Sequence, residues 1–203
     1  MIRTVAITAA FALATFALLF GAAGSAVADI PVGSGPTNYT EQAQPPPGTC
    51  HYRTAANGET LPDPTCTPGA INPKVTEATL ADTICRTGYT KSIRPPRDIT
   101  AAEKRANAAS YGYTGPFSDT EYDHLIPLEL GGDPNDARNL WVEPGASPNP
   151  KDGIEHKLHQ RVCAGTVSLA AAQQAIASDW TTALNVALSS RCTHLTPENY
   201  RQR

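Results

Sequence analysis

An aspartate and a histidine stand side by side at the start of an apolar run, as Asp123 and His124 in DHLIPLEL. Asn139 follows His124 by fifteen positions (139 − 124). A buried Asp-His pair is costly unless other groups hold it. A neutral imidazole can take a proton from water near neutral pH, and a carboxylate can bind a hard divalent cation. A lone histidine in such a run is more often a core residue bonded to a backbone carbonyl, but the three residues together favour a catalytic role.

Two strands and a helix are needed to bring these residues together. EYDHLIPLEL (121–130) is typical of an extended, largely buried segment, and NLWVEP (139–144) of a second short strand. The GG and DPND stretches between them predict a turn-rich loop. Asn149 is a suitable N-cap, and Pro150 a suitable first residue, for the helix that follows. The predicted order is therefore strand, loop, strand, helix.

Further helices are predicted on both sides of this central piece. Thr76 is a candidate N-cap for VTEATLADTIC, and Thr100 with Glu103 has the pattern of a capping box. Ser168 is a candidate N-cap for a single helix over SLAAAQQAIASDWTTALNVAL, which carries one apolar stripe. Strands and helices are thus both expected, in an α+β arrangement.

The sequence DHLIPLELGG…NLW…KD resembles the HNH, or ββα-metal, endonuclease superfamily, and is similar to secreted bacterial members of it. The resemblance covers Asp123 to about His159. It implies a small ββα-metal core, built as strand-loop-strand-helix and surrounded by additional helices. It also implies a metal-dependent endonuclease that hydrolyses phosphodiester bonds of DNA, with RNA as a second candidate substrate and little sequence specificity.

The resemblance also implies a role for each residue of the motif. His124 would be the general base that takes a proton from water, and Asp123 would be an oxygen ligand of the divalent cation. Asn139 would tie down the loop and orient the histidine. Lys151, at the N-terminus of the helix, would contact a substrate phosphate.

The second protein ligand of the metal is where the sequence departs from the family, because the first turn of the helix has no histidine. Since a helix rises about 1.5 Å per residue, His159 would lie roughly 10 Å beyond Asp152, so Asn149 and Asp152 are the preferred ligands. Each of these two could instead only cap the helix. Oxygen ligands predict Mg²⁺ or Mn²⁺, whereas a histidine ligand would shift the preference to Zn²⁺ or Ni²⁺. The candidates in the helix are Asn149, Asp152, Glu155, His156 and His159.

The N-terminal residues have the pattern of a secretory signal peptide. Arg3 precedes an apolar run, and Ala26-Val27-Ala28 forms an A-x-A cleavage site before Asp29. The alternative is an uncleaved anchor, but the apolar run is short for a membrane span. We therefore expect residues 1–28 to be removed and the mature protein to be secreted, without stable membrane insertion.

Five cysteines follow the predicted cleavage site, and none belongs to a C-x-x-C pair. In an oxidising compartment they are expected to form disulfides that reinforce the domain. The sequence does not fix the pairing, but we expect Cys50 with Cys66 and Cys85 with Cys163, which leaves Cys192 over.

The charge of the chain does not indicate a polyanion partner. The formal net charge is −3, and it becomes −4 (−3 − 1) when Arg3 leaves with the signal peptide. This balance predicts a modest and salt-sensitive affinity for nucleic acid. Basic residues do gather in KSIRPPRDITAAEKR (91–105), which is either a solvated face or a phosphate-contacting edge.

Composition divides the mature chain in two. Residues 29–65 are rich in Pro, Gly, Thr and Asn, and they predict a flexible arm. Residues 66–203 hold enough apolar content for one modest core, and we expect this part to be the HNH-like nuclease domain. The acidic charge, the arm and the unclear second ligand favour an alternative function, a non-catalytic exported protein on a degenerate HNH scaffold that acts in surface or partner binding.

Overall fold

The computed structural model describes residues 29–145 and 147–190, so the predicted signal peptide and Cys192 lie outside the described residues. The described chain combines helices with two small antiparallel sheets, which confirms the predicted α+β class. Within the described residues, no helix is long and apolar enough to cross a membrane.

The strands are β1 (Arg53–Thr54) and β2 (Thr60–Leu61) in one sheet, and β3 (Thr120–His124) and β4 (Leu140–Pro144) in the other. The α-helices are α1 (Tyr89–Ser92), α2 (Arg97–Ser110), α3 (Pro150–Cys163), α4 (Leu169–Ser178) and α5 (Ala183–Ser189). Short 3₁₀ helices cover Glu77–Asp82, Phe117–Asp119 and Leu128–Leu130.

The β3–β4 ribbon is the part of the fold that carries the predicted motif. Its register is regular, from Thr120 opposite Pro144 to His124 opposite Leu140. Leu140, Trp141 and Val142 are buried, as expected for the apolar sequence NLWV. The first strand is shorter than the predicted extended segment and ends at His124, because Pro127 precedes a 3₁₀ turn.

The loop between the two strands needs its glycines. Gly131 ends the 3₁₀ turn with φ of 74°, a left-handed conformation that favours glycine. A Cβ atom on Gly132 would lie 1.7 Å from the carbonyl oxygen of Ile126, so only glycine fits there. The loop can therefore fold back tightly behind the end of β3.

Helix α3 starts where the sequence predicts. The Asn149 side chain accepts hydrogen bonds from the backbone N–H groups of Lys151 and Asp152, and Pro150 is the first helical residue. Leu158 and Val162 are buried on its inner side and pack into the main apolar core with α4 and α5. The N-terminus of α3 is joined to the ribbon by the Lys151 side chain, which contacts Asp123 and the backbone carbonyl of His124.

Two helix predictions are wrong in detail. Helix α2 starts at Arg97, directly after Pro96, so Thr100 lies inside the helix and does not cap it. Proline favours an extended preceding chain and fits the first turn, which explains the earlier start. The single predicted helix after Ser168 is two helices, because the side chain of Asp179 accepts hydrogen bonds from Thr181 and forms a turn there.

Both predicted disulfides are confirmed. Cys50 is bonded to Cys66, and Cys85 to Cys163. The second bond joins the end of α3 to the segment that follows the first 3₁₀ helix, and its two cysteines are 78 residues apart in the chain. A cross-link over so long a loop stabilises a domain mainly by restricting the unfolded chain.

Residues 29–65 differ from the predicted flexible arm, because they contact the domain along their length. The Tyr39 hydroxyl donates to the carbonyl of Ile93 at 2.5 Å, and the Gln42 N–H donates to Glu103 at 2.8 Å. Further on, the backbone N–H of Cys50 bonds to Ser110 at 3.0 Å. The first disulfide and apolar side chains such as Leu61, which lies in the main core, also hold this segment.

Candidate active site between the ribbon and helix α3

The register of the ribbon decides which side chains share a face. Directly paired residues project to the same side of an antiparallel ribbon, and adjacent residues to opposite sides. Glu121 pairs with Glu143 and Asp123 pairs with Trp141, so three carboxyl groups lie on one side. This carboxyl face is the side toward α3. His124 belongs to the other face, and the regular register contains no bulge that would turn it toward Asp123.

A buried lysine lies in the middle of the carboxyl face. The Lys151 ammonium is 2.6 Å from Asp123 Oδ2, donates to the backbone carbonyl of His124 at 2.8 Å, and contacts the carboxylate of Glu155. The lysine side chain is 0% exposed, whereas those of Asp123 and Glu155 are 13% and 12% exposed. Lys151 was predicted to contact a substrate phosphate, but in this structure it has no surface available to one.

The acids around Lys151 respond to it differently. Burial opposes ionisation of Asp123, but the ammonium beside it holds the pKa of Asp123 below its usual value. Burial and the neighbouring Asp123 raise the pKa of Glu143 to about 9. Burial also raises the pKa of Glu155 to about 7, although Lys151 opposes the shift. At neutral pH the face therefore holds an ionised Asp123 beside a protonated Glu143.

His124 is held from the opposite face of the ribbon. Its Nε2 lies 3.0 Å from the carbonyl oxygen of Pro134. A carbonyl can only accept a hydrogen bond, so Nε2 carries the proton and the neutral ring has its lone pair on Nδ1. No residue in 29–145 or 147–190 hydrogen-bonds to Nδ1. Burial lowers the pKa of His124, against the pull of Asp123, so the ring is neutral at neutral pH.

Asn139 is buried behind His124 and connects three segments of backbone. Its Oδ1 accepts from Ile126 N–H at 3.0 Å and from Ala70 N–H at 3.3 Å. Its Nδ2 donates to the carbonyls of Ile126 and Asp133, both at 3.0 Å. The side chain thereby holds the chain on either side of the loop that supplies Pro134. It reaches His124 only through this loop.

The two residues predicted to complete the metal site, Asn149 and Asp152, form a capping box at the start of α3. Asn149 Oδ1 accepts from the N–H of Lys151 at 2.9 Å, and Asp152 Oδ2 accepts from the N–H of Asn149 at 2.9 Å. Asn149 Nδ2 also approaches Glu121 Oε2 at 3.5 Å. Both side chains thus use an oxygen to cap the helix N-terminus. Helix capping was the alternative to metal binding that the sequence left open for these two residues.

Sequence reasoning did not select Glu143 and Glu155, which both interact with Asp123 or with its partner Lys151. Glu143 is only 3% exposed, although a glutamate near the end of a short strand is ordinarily expected to be exposed. Glu155 was one of five candidates and was not preferred. A signal for Glu155 was present, because Lys151 and Glu155 are four residues apart on one face of a helix. The signal for Glu143 required the strand register, which the sequence does not fix.

The geometry of the site is the basis for assigning a function, because comparison with known proteins adds no relative. Neither a protein-family model, nor a curated protein, nor a solved structure matches this chain.

Proposed function

We propose that this protein is a metal-dependent phosphodiester hydrolase with a ββα-metal core of the HNH type, acting on DNA or RNA. The observation that carries the proposal is the end of strand β3. There a neutral histidine with an available Nδ1 directly follows an ionised aspartate in a largely buried carboxylate cluster. Because β3 ends at His124, groups from both faces of the ribbon can approach one phosphate at this end.

His124 is proposed as the general base. The carbonyl of Pro134 holds the ring in one orientation and places the lone pair on Nδ1. The low pKa keeps the ring unprotonated at neutral pH, which is the state that can take a proton from water. Asn139 is a positioning residue, since it fixes the backbone on both sides of the loop that carries Pro134.

The donor set around Asp123 fits a hard divalent cation, Mg²⁺ or Mn²⁺. Asp123, Glu143 and Glu155 offer carboxylate oxygens, and Glu143 Oε2 is buried without a hydrogen-bond partner among the described residues. Asp123 and Glu155 share a single ammonium, and a bound cation would favour loss of the proton from Glu143 beside them. A bound cation would supply charge neutralisation at the leaving oxygen. Asp152 stays proposed as an additional oxygen ligand through its second carboxylate oxygen, whereas the single side-chain oxygen of Asn149 already accepts from two backbone N–H groups of the cap.

The alternative function is a non-catalytic, exported binding protein on a degenerate HNH scaffold. The specific observation in its favour is Lys151. Its ammonium already contacts Asp123 and Glu155, and it is fully buried. A fixed ammonium in that place would make a metal ion unnecessary for stability and would leave the cluster purely structural.

Cleavage of nucleic acid separates the two functions. We expect the purified mature protein to cut plasmid DNA or RNA in Mg²⁺ or Mn²⁺, and His124→Ala to lose about 10²- to 10⁴-fold in rate. His51→Ala is the matched control, since that histidine is exposed and only its backbone bonds to Asp63. No cleavage by the wild type in either metal, or equal cleavage by the wild type and His124→Ala, would remove the enzyme and leave the binding function.

A further inference from the structure

A second group of metal-ligating side chains lies outside the carboxyl face. Glu129 from the 3₁₀ turn, and His156 and His159 from α3, have ligand atoms that all lie within 4.8 Å of one another. The two histidines are three residues apart, so they are neighbours on the helix surface. We propose that Glu129, His156 and His159 bind one transition-metal ion of the Zn²⁺ type.

His159 is held as metal-binding histidines usually are. Its Nε2 lies 2.9 Å from the carbonyl oxygen of Ile84, so Nε2 carries the proton and Nδ1 presents its lone pair. A histidine ligand typically donates its second N–H to a carbonyl or carboxylate, which fixes the orientation of the ring. The Cys85–Cys163 disulfide holds this carbonyl next to the helix, because it joins the residue after Ile84 to the last residue of α3.

One pair of ligand atoms is already close to the spacing of a metal site. His159 Nδ1 and Glu129 Oε2 are 3.8 Å apart, too far for a hydrogen bond. Two ligands at about 2.0–2.1 Å from a tetrahedral Zn²⁺ are about 3.4 Å apart. A shift of a few tenths of an ångström would bring these two atoms to that spacing. His156 is exposed, and its hydrogen bond with Gln160 (3.0 Å) is exposed too, so little is lost when the ring turns to the metal.

Ligand type decides the metal class. Two imidazoles and one carboxylate suit Zn²⁺, Ni²⁺ or Co²⁺, whereas the oxygen set around Asp123 suits Mg²⁺ or Mn²⁺. Three protein ligands leave a fourth position for water. The nearby Cys85 and Cys163 are not ligands in the oxidised protein, because they are bonded to each other. The proposed site therefore goes beyond the nuclease function and does not depend on it.

The test is a titration of the oxidised mature protein with Zn²⁺ by calorimetry, and with Co²⁺ by visible absorbance, without a thiol reductant. We expect one ion per chain and the d–d absorption bands of a low-symmetry Co²⁺ site. His156→Ala, which removes an exposed side chain, and the isosteric Glu129→Gln should each weaken binding roughly 10-fold or more. His51→Ala should bind as the wild type does, and Asp123→Asn tests separately whether the ion lies at the carboxyl face instead.

Two results would overturn the proposal. One is the absence of stoichiometric Zn²⁺ binding by the folded wild type. The other is binding that His156→Ala and Glu129→Gln leave unchanged, or that only Asp123→Asn removes. Circular dichroism of each variant confirms that the fold is intact. Failure here leaves the nuclease proposal standing, because that proposal is tested by His124→Ala in Mg²⁺ or Mn²⁺.

Discussion

The two faces of the β3–β4 ribbon stabilise their buried polar groups differently, one by an ion pair and the other by a hydrogen bond to a neutral side chain. On the carboxyl face, where Glu121 and Glu143 lie on the same side of the ribbon as Asp123, one ammonium from α3 contacts Asp123 and Glu155. On the other face, His124 has no such partner; it donates to a backbone carbonyl and stays neutral. One strand thus places an acid and a base in adjacent positions without allowing them to form an ion pair.

The difference bears on the proposed role of His124 as a base. If His124 and Asp123 shared a face, the carboxylate would favour the protonated imidazole, which cannot act as a base. On opposite faces Asp123 still raises the pKa of His124, but burial is the larger effect and lowers it overall. Two questions follow: whether the carboxyl face depends on the Lys151 ammonium for its stability, and whether the two faces change the free energy of unfolding in opposite directions as the pH changes.

The largest effect is expected when the Lys151 ammonium is removed from the carboxyl face. Lys151→Met leaves Asp123 and Glu155 without their shared partner in a buried place, so the free energy of unfolding should fall by about 3–5 kcal/mol at pH 7. Denaturant unfolding measures this loss. Adding Asp123→Asn to the variant should recover part of it, because one uncompensated charge is then gone.

Lys157→Met is the matched control for this prediction. Lys157 lies on the same helix and is exposed. Its substitution should change stability by about 0.5 kcal/mol or less. A Lys151→Met variant as stable as this control would mean that the acids of the carboxyl face do not need the ammonium.

The contrast between the buried Lys151 and the exposed Lys157 also shows that the sequence predicts the helix but not which of its lysines is buried. Lys151 was predicted to contact a substrate phosphate at the helix N-terminus, and lysine is almost never fully buried unless it is paired. The helix itself was predictable, because Asn149 and Pro150 are local signals that depend on no distant contact. Whether the lysine points inward depends on β3, which is 27 residues away in the chain at His124.

The cysteines and the second strand also show which features could be predicted from the sequence and which could not. The pairings of Cys50 with Cys66 and of Cys85 with Cys163 were expected and are confirmed. The apolar sequence of β4 was also sufficient to predict a buried strand. Its register against β3 was not predictable, because a long loop, unlike a two-residue hairpin turn, does not set the pairing. Without the register, Glu143 could not be placed beside Asp123.

The next effect concerns the pH dependence of the carboxyl face. Burial raises the pKa of Glu143 from 4.5 to about 9, so its contribution to stability is fully present below pH 4.5 and is lost as the pH rises toward 9. Glu143→Gln, which keeps the shape of the protonated acid, should flatten this decline. The change in slope should be at most about 1.4 kcal/mol per pH unit, the limit for one proton.

Glu103→Gln is the comparison for this experiment. Glu103 is a buried acid on α2, and burial raises its pKa to about 7. Its substitution should flatten the stability curve only up to about pH 7, whereas Glu143→Gln should also flatten it between pH 7 and 9. Unfolding curves measured from pH 5 to pH 9 decide this. If Glu143→Gln leaves the alkaline part of the curve as steep as in the wild type, then Glu143 is already ionised in the folded protein.

The smallest effect is expected on the face of His124, and its sign is opposite. Burial lowers the pKa of His124 below 6.5, so the stability that it contributes is fully present above that value and is lost as the pH falls through its folded pKa. His124→Gln keeps an N–H that can donate to Pro134 but cannot be protonated. It should therefore remove part of the loss of stability between pH 7 and pH 5, by no more than about 1.4 kcal/mol per pH unit. His51→Gln, at an exposed position, serves as the control in the same unfolding series. If His124→Gln loses stability in acid as steeply as the wild type, then the imidazole takes up its proton as readily in the folded as in the unfolded chain, and the proposed separation of base from acid across the ribbon is wrong.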